Sequence, residues 1–282
     1  MLLFLPVRLM SGQSVEPPAP VFPGDGKLPA EANGAELLEA VCPGQVEVGK
    51  DITCRGGCPT FTGFEELVPW TLITVTQGHF LSPTSDDGVL SMQGCESHAE
   101  NFGGTILLTH GFQGWAMKWY RAGVETSECH RVRLQAGREI LVCFGETGTA
   151  GSLLAELYVE DLLDPGATLR AEEEAPFLLA ADNSFACISH SEDETESFTL
   201  TRAFIEKVEF PSMSPGAPGS RISVTASFGQ RSIDPESVQA CIDSPGTFLP
   251  PVKSFHLDFV FDGHDYKPTP ASAETARMFS SR

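Results

Sequence analysis

Apolar and polar residues alternate along several stretches of this chain with the two-residue period of half-buried β-strands. The clearest stretch is 254–262, whose inward-facing residues are Phe255, Leu257, Phe259 and Phe261. A second stretch is 221–228, whose inward-facing residues are Ile222, Val224, Ala226 and Phe228. Residues 71–76 are β-branched and alternate in the same way. These patterns predict strands that bury one face against a core.

Two short apolar runs predict strands of a different kind. Residues 105–109 and 139–144 are apolar almost throughout, which is typical of strands covered on both faces. Trp115, Met117 and Trp119 alternate and predict a strand with the three side chains on one face. We favour a core position for the two tryptophans over a platform that stacks on sugars.

Helical signals are few. Residues 35–41 predict a short helix, and Asp234-Pro235-Glu236 predicts a second one that ends near Cys241, because an N-cap residue precedes a proline at the first helical position. Residues 152–163 carry leucines with helical spacing, although their later half, 156–161, fits a strand equally well.

The predicted strands form three groups, at 70–124, 130–163 and 198–261. This grouping predicts a mainly β fold: a multi-sheet, propeller-like antiparallel array with a few short helices, stapled by disulfides. Around it we expect a signal-peptide stub at 1–14, a disordered Pro/Gly/Ala-rich tether with a short helix at 15–41, and a C-terminal tail at 271–282. The β-rich domain itself is expected to span 42–270.

Three segments resemble the FG-GAP or VCBS type of β-propeller repeat. They are Gly78-His79-Phe80, then Asp86-Asp87-Gly88-Val89-Leu90, then Gly103-Gly104 with the apolar run that follows. The resemblance implies a propeller and a Ca²⁺ loop. This chain departs from the family's loop, because its aspartates are adjacent and His79 stands where the family usually has Asp.

Eight cysteines predict a set of disulfides and an oxidising compartment, periplasmic or extracellular. They are Cys42, Cys54, Cys58, Cys95, Cys129, Cys143, Cys187 and Cys241. The expected pairs are Cys54–Cys58 or Cys42–Cys58, Cys129–Cys143 across a hairpin, and Cys187–Cys241. The alternative is a reduced zinc protein that combines Cys54 and Cys58 with Cys95 and His98, or with Cys129 and His130.

The formal net charge of −20 excludes a general affinity for nucleic acid and disfavours anionic membranes. The apolar stretch 1–7 is far shorter than the ~20 residues of a spanning helix. We expect an acidic exported protein whose partner is another protein or a cell-surface ligand.

The best candidate binding loop holds Glu96, His98, Glu100 and Asn101 between two apolar strands. In an extended segment the first three share one side and could bind a divalent metal or move a proton. A surface loop without a ligand is the interpretation we favour. His79, His110 and His264 each lie next to a glycine near a strand end and could converge, although separate turn positions are expected.

No Gly-x-Ser-x-Gly or His-Glu-x-x-His motif is present. The sequence therefore favours a non-catalytic scaffold or binding protein, with no resident cofactor expected. The alternative is a metal-dependent hydrolase that uses Glu96, His98 and another histidine. Ca²⁺ and Zn²⁺ are the two ions left open.

Overall fold

The structure is a computed structural model and describes residues 19–55, 70–94, 102–121, 126–149, 152–163, 176–183, 186, 197–211, 221–263 and 265–280. The strands are β1 (Val46–Val48), β2 (Ile52–Cys54), β3 (Trp70–Gly78), β4 (Asp87–Gln93), β5 (Phe102–Gly111), β6 (Gly114–Arg121), β7 (Cys129–Arg133), β8 (Glu139–Thr149), β9 (Ser152–Glu160), β10 (Leu178–Asp182), β11 (Phe198–Glu209), β12 (Arg221–Ile233), β13 (Lys253–Phe261) and β14 (Tyr266–Pro268). The α-helices are α1 (Gly34–Glu39), α2 (Val238–Asp243) and α3 (Ala273–Ser280).

The strands of the described segments form three antiparallel sheets, which confirms a mainly β fold. The first sheet has the order β1-β2-β3-β4-β5-β6, the second β10-β9-β8-β7 and the third β11-β12-β13-β14. Each sheet joins strands that follow one another in the chain, so the three predicted groups correspond to the three sheets. The first group gains β1 and β2, the second gains β10 and the third gains β14. The propeller arrangement stays a prediction.

The second sheet lies between the other two, and β8 shows why. Its even-numbered residues Ile140, Val142 and Phe144 pack into a core shared with the third sheet. Its odd-numbered residues Leu141 and Cys143 pack into another core shared with the first sheet. The apolar run at 139–144 was predicted to be covered on both faces, and the alternation of a strand places one set of side chains in each core.

The first sheet also has two covered faces. Ile106 and Leu108 of β5 pack with α1 on the outer side, whereas Leu107 between them packs toward the second sheet. In the third sheet, Ile222, Val224, Leu257 and Phe259 face the second sheet, as their alternation predicts. The order of layers is therefore α1, first sheet, second sheet and third sheet.

A β-bulge separates the two tryptophans of β6. Leu107 pairs with Trp119 while the next residue of β5, Leu108, pairs with Met117, so Lys118 is the extra residue. Because of this extra residue, side chains two positions apart on either side of the bulge lie on opposite faces of the sheet. Trp115 packs against the core beside α1, and Trp119 packs against the core beside the second sheet. The prediction that the two rings share one strand face was therefore wrong.

The helical predictions at 35–41 and 234–241 are confirmed by α1 and α2. The helical interpretation of 152–163 was wrong, because residues 152–160 form β9, which pairs with both β8 and β10. Residues 273–280, expected in a tail, form α3, whose Phe279 is buried in the core between the second and third sheets. No helix in the described segments is long and apolar enough to cross a membrane.

Residues 19–33, which we call the N-terminal strap, lie against all three sheets, although the sequence predicted a disordered tether there. Val21 bridges to Lys207 of β11, and the Asp25 amide donates to the Cys129 carbonyl oxygen at 2.8 Å. Lys27 pairs with Val75 of β3. The strap therefore covers the edge strands β11 and β7 and part of β3, which protects these edges from other chains. Residues 15–18 of the predicted tether, the signal-peptide stub at 1–14 and residues 281–282 of the predicted tail lie outside the described residues.

Two disulfides are described in full. Cys129 and Cys143 lie opposite each other on β7 and β8 and form a disulfide, as predicted. Cys54 bonds to Cys42, not to Cys58, so both predictions for this region were wrong. The reason is packing: Cys42 follows α1, Cys54 ends β2, and both are buried in the core under that helix. Cys241 is also disulfide-bonded, and its predicted partner Cys187 lies outside the described residues.

Candidate functional site

A cleft of about 280 Å³ opens between the second and third sheets, beside α3. Five elements contribute to its wall: β9, β10, β11, β12 and α3. The lining residues are Ser152, Leu154, Ala181, Asp182, Asn183, Thr201, Ala203, Phe228, Gln230, Met278 and Phe279. The cleft therefore has one polar part and one apolar part, built by strands that are far apart in sequence.

The polar part is held in place by Asn183, the residue that follows β10. Its backbone amide donates to the Thr201 carbonyl oxygen at 3.0 Å, and its Oδ1 accepts from the Thr201 amide. Its Nδ2 donates to the Thr199 carbonyl oxygen at 3.1 Å. The side chain of Asn183 thus substitutes for a backbone segment and ties the end of β10 to β11. This joint fixes the corner between the two sheets.

Asp182 brings a carboxylate to this corner. The residue is 2% exposed and lies on the same face of β10 as Leu178 and Ala180, which belong to the core between the sheets. A buried carboxylate costs free energy unless charges or hydrogen-bond donors surround it. Its place at the boundary of an apolar core and a cleft makes it the principal ionisable group of the site.

The apolar part is built around Phe279 of α3. Its ring is 5.6 Å from the ring of Phe228 of β12, measured between centroids, and the two ring planes are inclined at 66°. Met278 and Leu154 extend this wall. Two aromatic rings and a flexible methionine offer contact area to an apolar ligand group, and small-molecule sites commonly combine such a wall with a few polar groups.

The described lining of the cleft holds one carboxylate, that of Asp182, and two hydroxyl groups, those of Ser152 and Thr201. Among the described residues that line it there is no histidine, cysteine or lysine to act as base or nucleophile beside Ser152 and Thr201. In the part of the chain that the structure describes, no three His, Cys, Asp or Glu side chains come together in a way that could hold a metal ion.

The structure does not describe the candidate binding loop that the sequence predicts. Glu96, His98, Glu100 and Asn101 lie outside the described residues, as do Cys58, Cys95 and Cys187. Three further histidines, His79, His110 and His264, were predicted to lie near strand ends, and His264 also lies outside the described residues. His79 hydrogen-bonds through Nδ1 to the Ser85 carbonyl oxygen, and the His110 ring packs edge-to-face against that of Trp115, with the centroids 5.1 Å apart. Both act locally near one end of the first sheet.

The zinc alternative fails at two of its proposed ligands. Cys54 and Cys129 are both disulfide-bonded, so neither offers the thiolate that zinc requires. His130 instead stacks on Phe210 with ring centroids 3.9 Å apart, and its Nδ1 lies 3.2 Å from an oxygen of Asp25. The cysteine pair and this histidine hold the second sheet and the strap together.

Asp87, from the segment that resembles a propeller repeat, is a structural carboxylate. It is fully buried, and its Oδ2 accepts hydrogen bonds from the Phe80 and Leu81 amides at 2.9 and 2.8 Å and from the Ser85 hydroxyl. Its Oδ1 accepts from the Thr109 hydroxyl at 2.7 Å. Both carboxylate oxygens therefore hold the loop between β3 and β4 against β5.

Sequence reasoning missed the whole cleft. Its residues come from positions 152 to 279, and no motif links them. One signal was present: the apolar run at 178–181 ends in an aspartate, and an acidic residue that closes a buried strand indicates a polar junction. No family model, curated protein or solved structure matches this chain.

Proposed function

We propose that this protein is an exported, non-catalytic binding protein that takes a small amphipathic ligand in the cleft between its second and third sheets. The observation that carries the proposal is the cleft's division into a polar corner at Asp182 and Asn183 and an apolar wall at Phe228, Met278 and Phe279. A ligand with one polar end and one apolar body would satisfy both parts.

Export is supported by the chemistry of the cysteines. All five described cysteines are disulfide-bonded, and disulfides persist in oxidising compartments. The net charge of −20 is consistent with a protein that stays dispersed outside the cytoplasm. The propeller-like arrangement of the sheets belongs to the same proposal, because such arrays commonly serve as binding scaffolds.

The proposal can be tested with a ligand-observed NMR screen of small amphipathic fragments against the full chain. The variant Leu154→Trp fills the cleft from β9, and Leu163→Trp makes the same exchange at a site that is 45% exposed and outside the cleft. We expect fragments that bind the wild type and Leu163→Trp but lose binding to Leu154→Trp. Fragments that bind all three proteins equally would show that the cleft is not the site.

A further inference from the structure

We propose that the cleft selects organic cations: molecules with an ammonium group attached to an apolar body. The inference rests on the proposed function, because it names the chemistry of the ligand that the cleft would take. It depends on three features of the described wall: the sign of its charge, the polar groups that can accept hydrogen bonds from a ligand, and its aromatic rings.

The charge of the wall is negative. Asp182 is the one ionisable residue among the described residues that line the cleft, and this lining includes no lysine, arginine or histidine. Arg202 lies between the lining residues Thr201 and Ala203, but its guanidinium lies over the ring of Phe204, 5.6 Å from the centroid. A ligand carboxylate or phosphate would therefore meet a like charge and no lining cation.

Two amide groups of the polar wall already donate hydrogen bonds within the protein. Asn183 Nδ2 donates to the Thr199 carbonyl oxygen, and Gln230 Nε2 donates to the Thr201 hydroxyl at 3.3 Å. The acceptor atoms of the wall include the Asp182 carboxylate and the amide oxygen of Gln230. A carboxylate offers about four lone-pair sites, so it can accept from a ligand in addition to its partners within the protein. The hydroxyl groups of Ser152 and Thr201 also line the cleft and can accept as well as donate, so the wall can bind a ligand whose polar end donates hydrogen bonds.

The apolar wall suits the same ligand class. Phe228 and Phe279 line the cleft, and the face of an aromatic ring attracts a cation within about 6 Å of its centroid. Carboxylate and aromatic groups around one cavity are a combination that recognises ammonium ions. The net charge of −20 adds a long-range field that draws cations toward the protein and repels anions.

The test uses three ligands that share an eight-carbon chain and differ in their polar end: octylammonium, octanol and octanoate. Binding to the full chain is measured by isothermal titration calorimetry at neutral pH and physiological salt, below the micelle concentration. We expect octylammonium to bind best, octanol more weakly and octanoate least. An ion pair within a partly dry cleft predicts a difference of about tenfold or more between the two charged ligands.

Two variants locate the effect. Asp182→Asn removes the charge but keeps the shape, and it should reduce octylammonium affinity about tenfold while octanol is unchanged. The control is Asp51→Asn, the same exchange at an exposed turn of the first sheet. Met278→Lys places a cation on the half-buried wall and should exchange the preference, so that octanoate binds better than octylammonium. This variant keeps the proposal testable should Asp182→Asn fail to fold.

The outcomes separate the inference from the function on which it rests. Equal binding of the three ligands, with all of them lost in Leu154→Trp, would keep the cleft as the binding site and overturn the choice of cations. Equal loss of octylammonium in Asp182→Asn and Asp51→Asn would show attraction by the overall charge only, which also overturns the inference. No binding by any of the three at millimolar concentration, together with an unsuccessful fragment screen, would overturn both.

Discussion

Arg121 of β6 and Glu160 of β9 form an ion pair buried between the first and second sheets, with each side chain 8% exposed. The Arg121 guanidinium also lies over the ring of Trp119, 4.4 Å from its centroid. The pair lies at the edge of a core between the two sheets that includes Leu107, Leu141 and Tyr158. It therefore fixes how the sheets are aligned, because a shift of either strand would leave a charge in an apolar layer.

Removing one partner of this pair should be costly. The variant Arg121→Met leaves the Glu160 carboxylate buried without its guanidinium, and we expect the free energy of unfolding to fall by about 3–5 kcal/mol. Arg138→Met is the matched control, because the Arg138–Asp161 pair is more exposed, at 19% and 42%, and should cost about 1 kcal/mol or less. Urea denaturation of both variants gives the comparison.

The double variant Arg121→Met with Glu160→Leu separates pairing from burial. Since it removes both charges, it should recover more than half of the loss seen in Arg121→Met. Should it be as unstable as the single variant, the two side chains would contribute mainly through contacts other than their mutual ion pair.

The sequence predicts most strands of the second and third sheets because the number of buried faces of each strand determines its pattern of apolar residues. Val142 and Leu141 point into different cores, so a continuous apolar run was the expected pattern, and the alternation at 254–261 reflects one buried face. The interpretation of 152–163 as a helix failed for a physical reason. Leu153, Leu154, Leu157 and Tyr158 satisfy a helical stripe and a strand covered on both faces equally well, and only pairing with β8 and β10 decides between them.

The site is harder to predict than the fold. Leu154 and Phe279 lie 125 positions apart, and they meet only because the second and third sheets pack face to face and α3 returns to their junction. The bulge at Lys118 gives a second example. One extra residue in β6 reverses the faces of Trp115 and Trp119, and nothing in the local sequence marks it. Local patterns predict strands, whereas clefts depend on how the strands assemble.

Asp87 should be essential for the loop between β3 and β4. The variant Asp87→Ala leaves the Phe80 and Leu81 amides and the Thr109 hydroxyl without their acceptor in a buried site, so we expect a loss of about 2–5 kcal/mol. Asp86→Ala is the control, because this neighbour is exposed and should change stability by about 0.5 kcal/mol or less. Thermal unfolding of both variants is the measurement. Similar losses would contradict the structural role of Asp87.

Phe22 should hold the N-terminal strap closed. Its ring packs against Phe144 and Phe210 at centroid distances of 6.1 and 5.9 Å. The variant Phe22→Ala should cost about 1–2 kcal/mol, because the ring is only partly buried. It should also increase hydrogen exchange at the Val75 and Val208 amides, which donate to strap carbonyl oxygens at 3.0 Å. Val21→Ala, at a residue 62% exposed, should leave both exchange rates unchanged. Unchanged exchange in Phe22→Ala would show that the strap is held elsewhere.

Gly229 of β12 is required by a close backbone approach. A Cβ at this position would collide with the Pro251 carbonyl oxygen and lie 2.9 Å from its carbonyl carbon. We expect Gly229→Ala to lower the free energy of unfolding by about 1–3 kcal/mol, because backbone atoms must move. Gly246→Ala makes the same exchange where nothing lies within 4 Å and should be nearly neutral. Chemical denaturation curves that coincide for the two variants would contradict the predicted collision.

The Cys129–Cys143 disulfide should account for a large share of the stability of the second sheet. It closes a loop with a sequence separation of 14, for which the restriction of the unfolded chain predicts about 3 kcal/mol. The double variant Cys129→Ala with Cys143→Ala should therefore unfold at a lower guanidinium concentration than the wild type.

Alkylation of the unreduced wild type, read by peptide mass, should modify none of Cys42, Cys54, Cys129, Cys143 and Cys241, because all five are disulfide-bonded. Rapid alkylation of these residues in protein purified from an oxidising compartment would contradict both the pairing and the argument for export that depends on it.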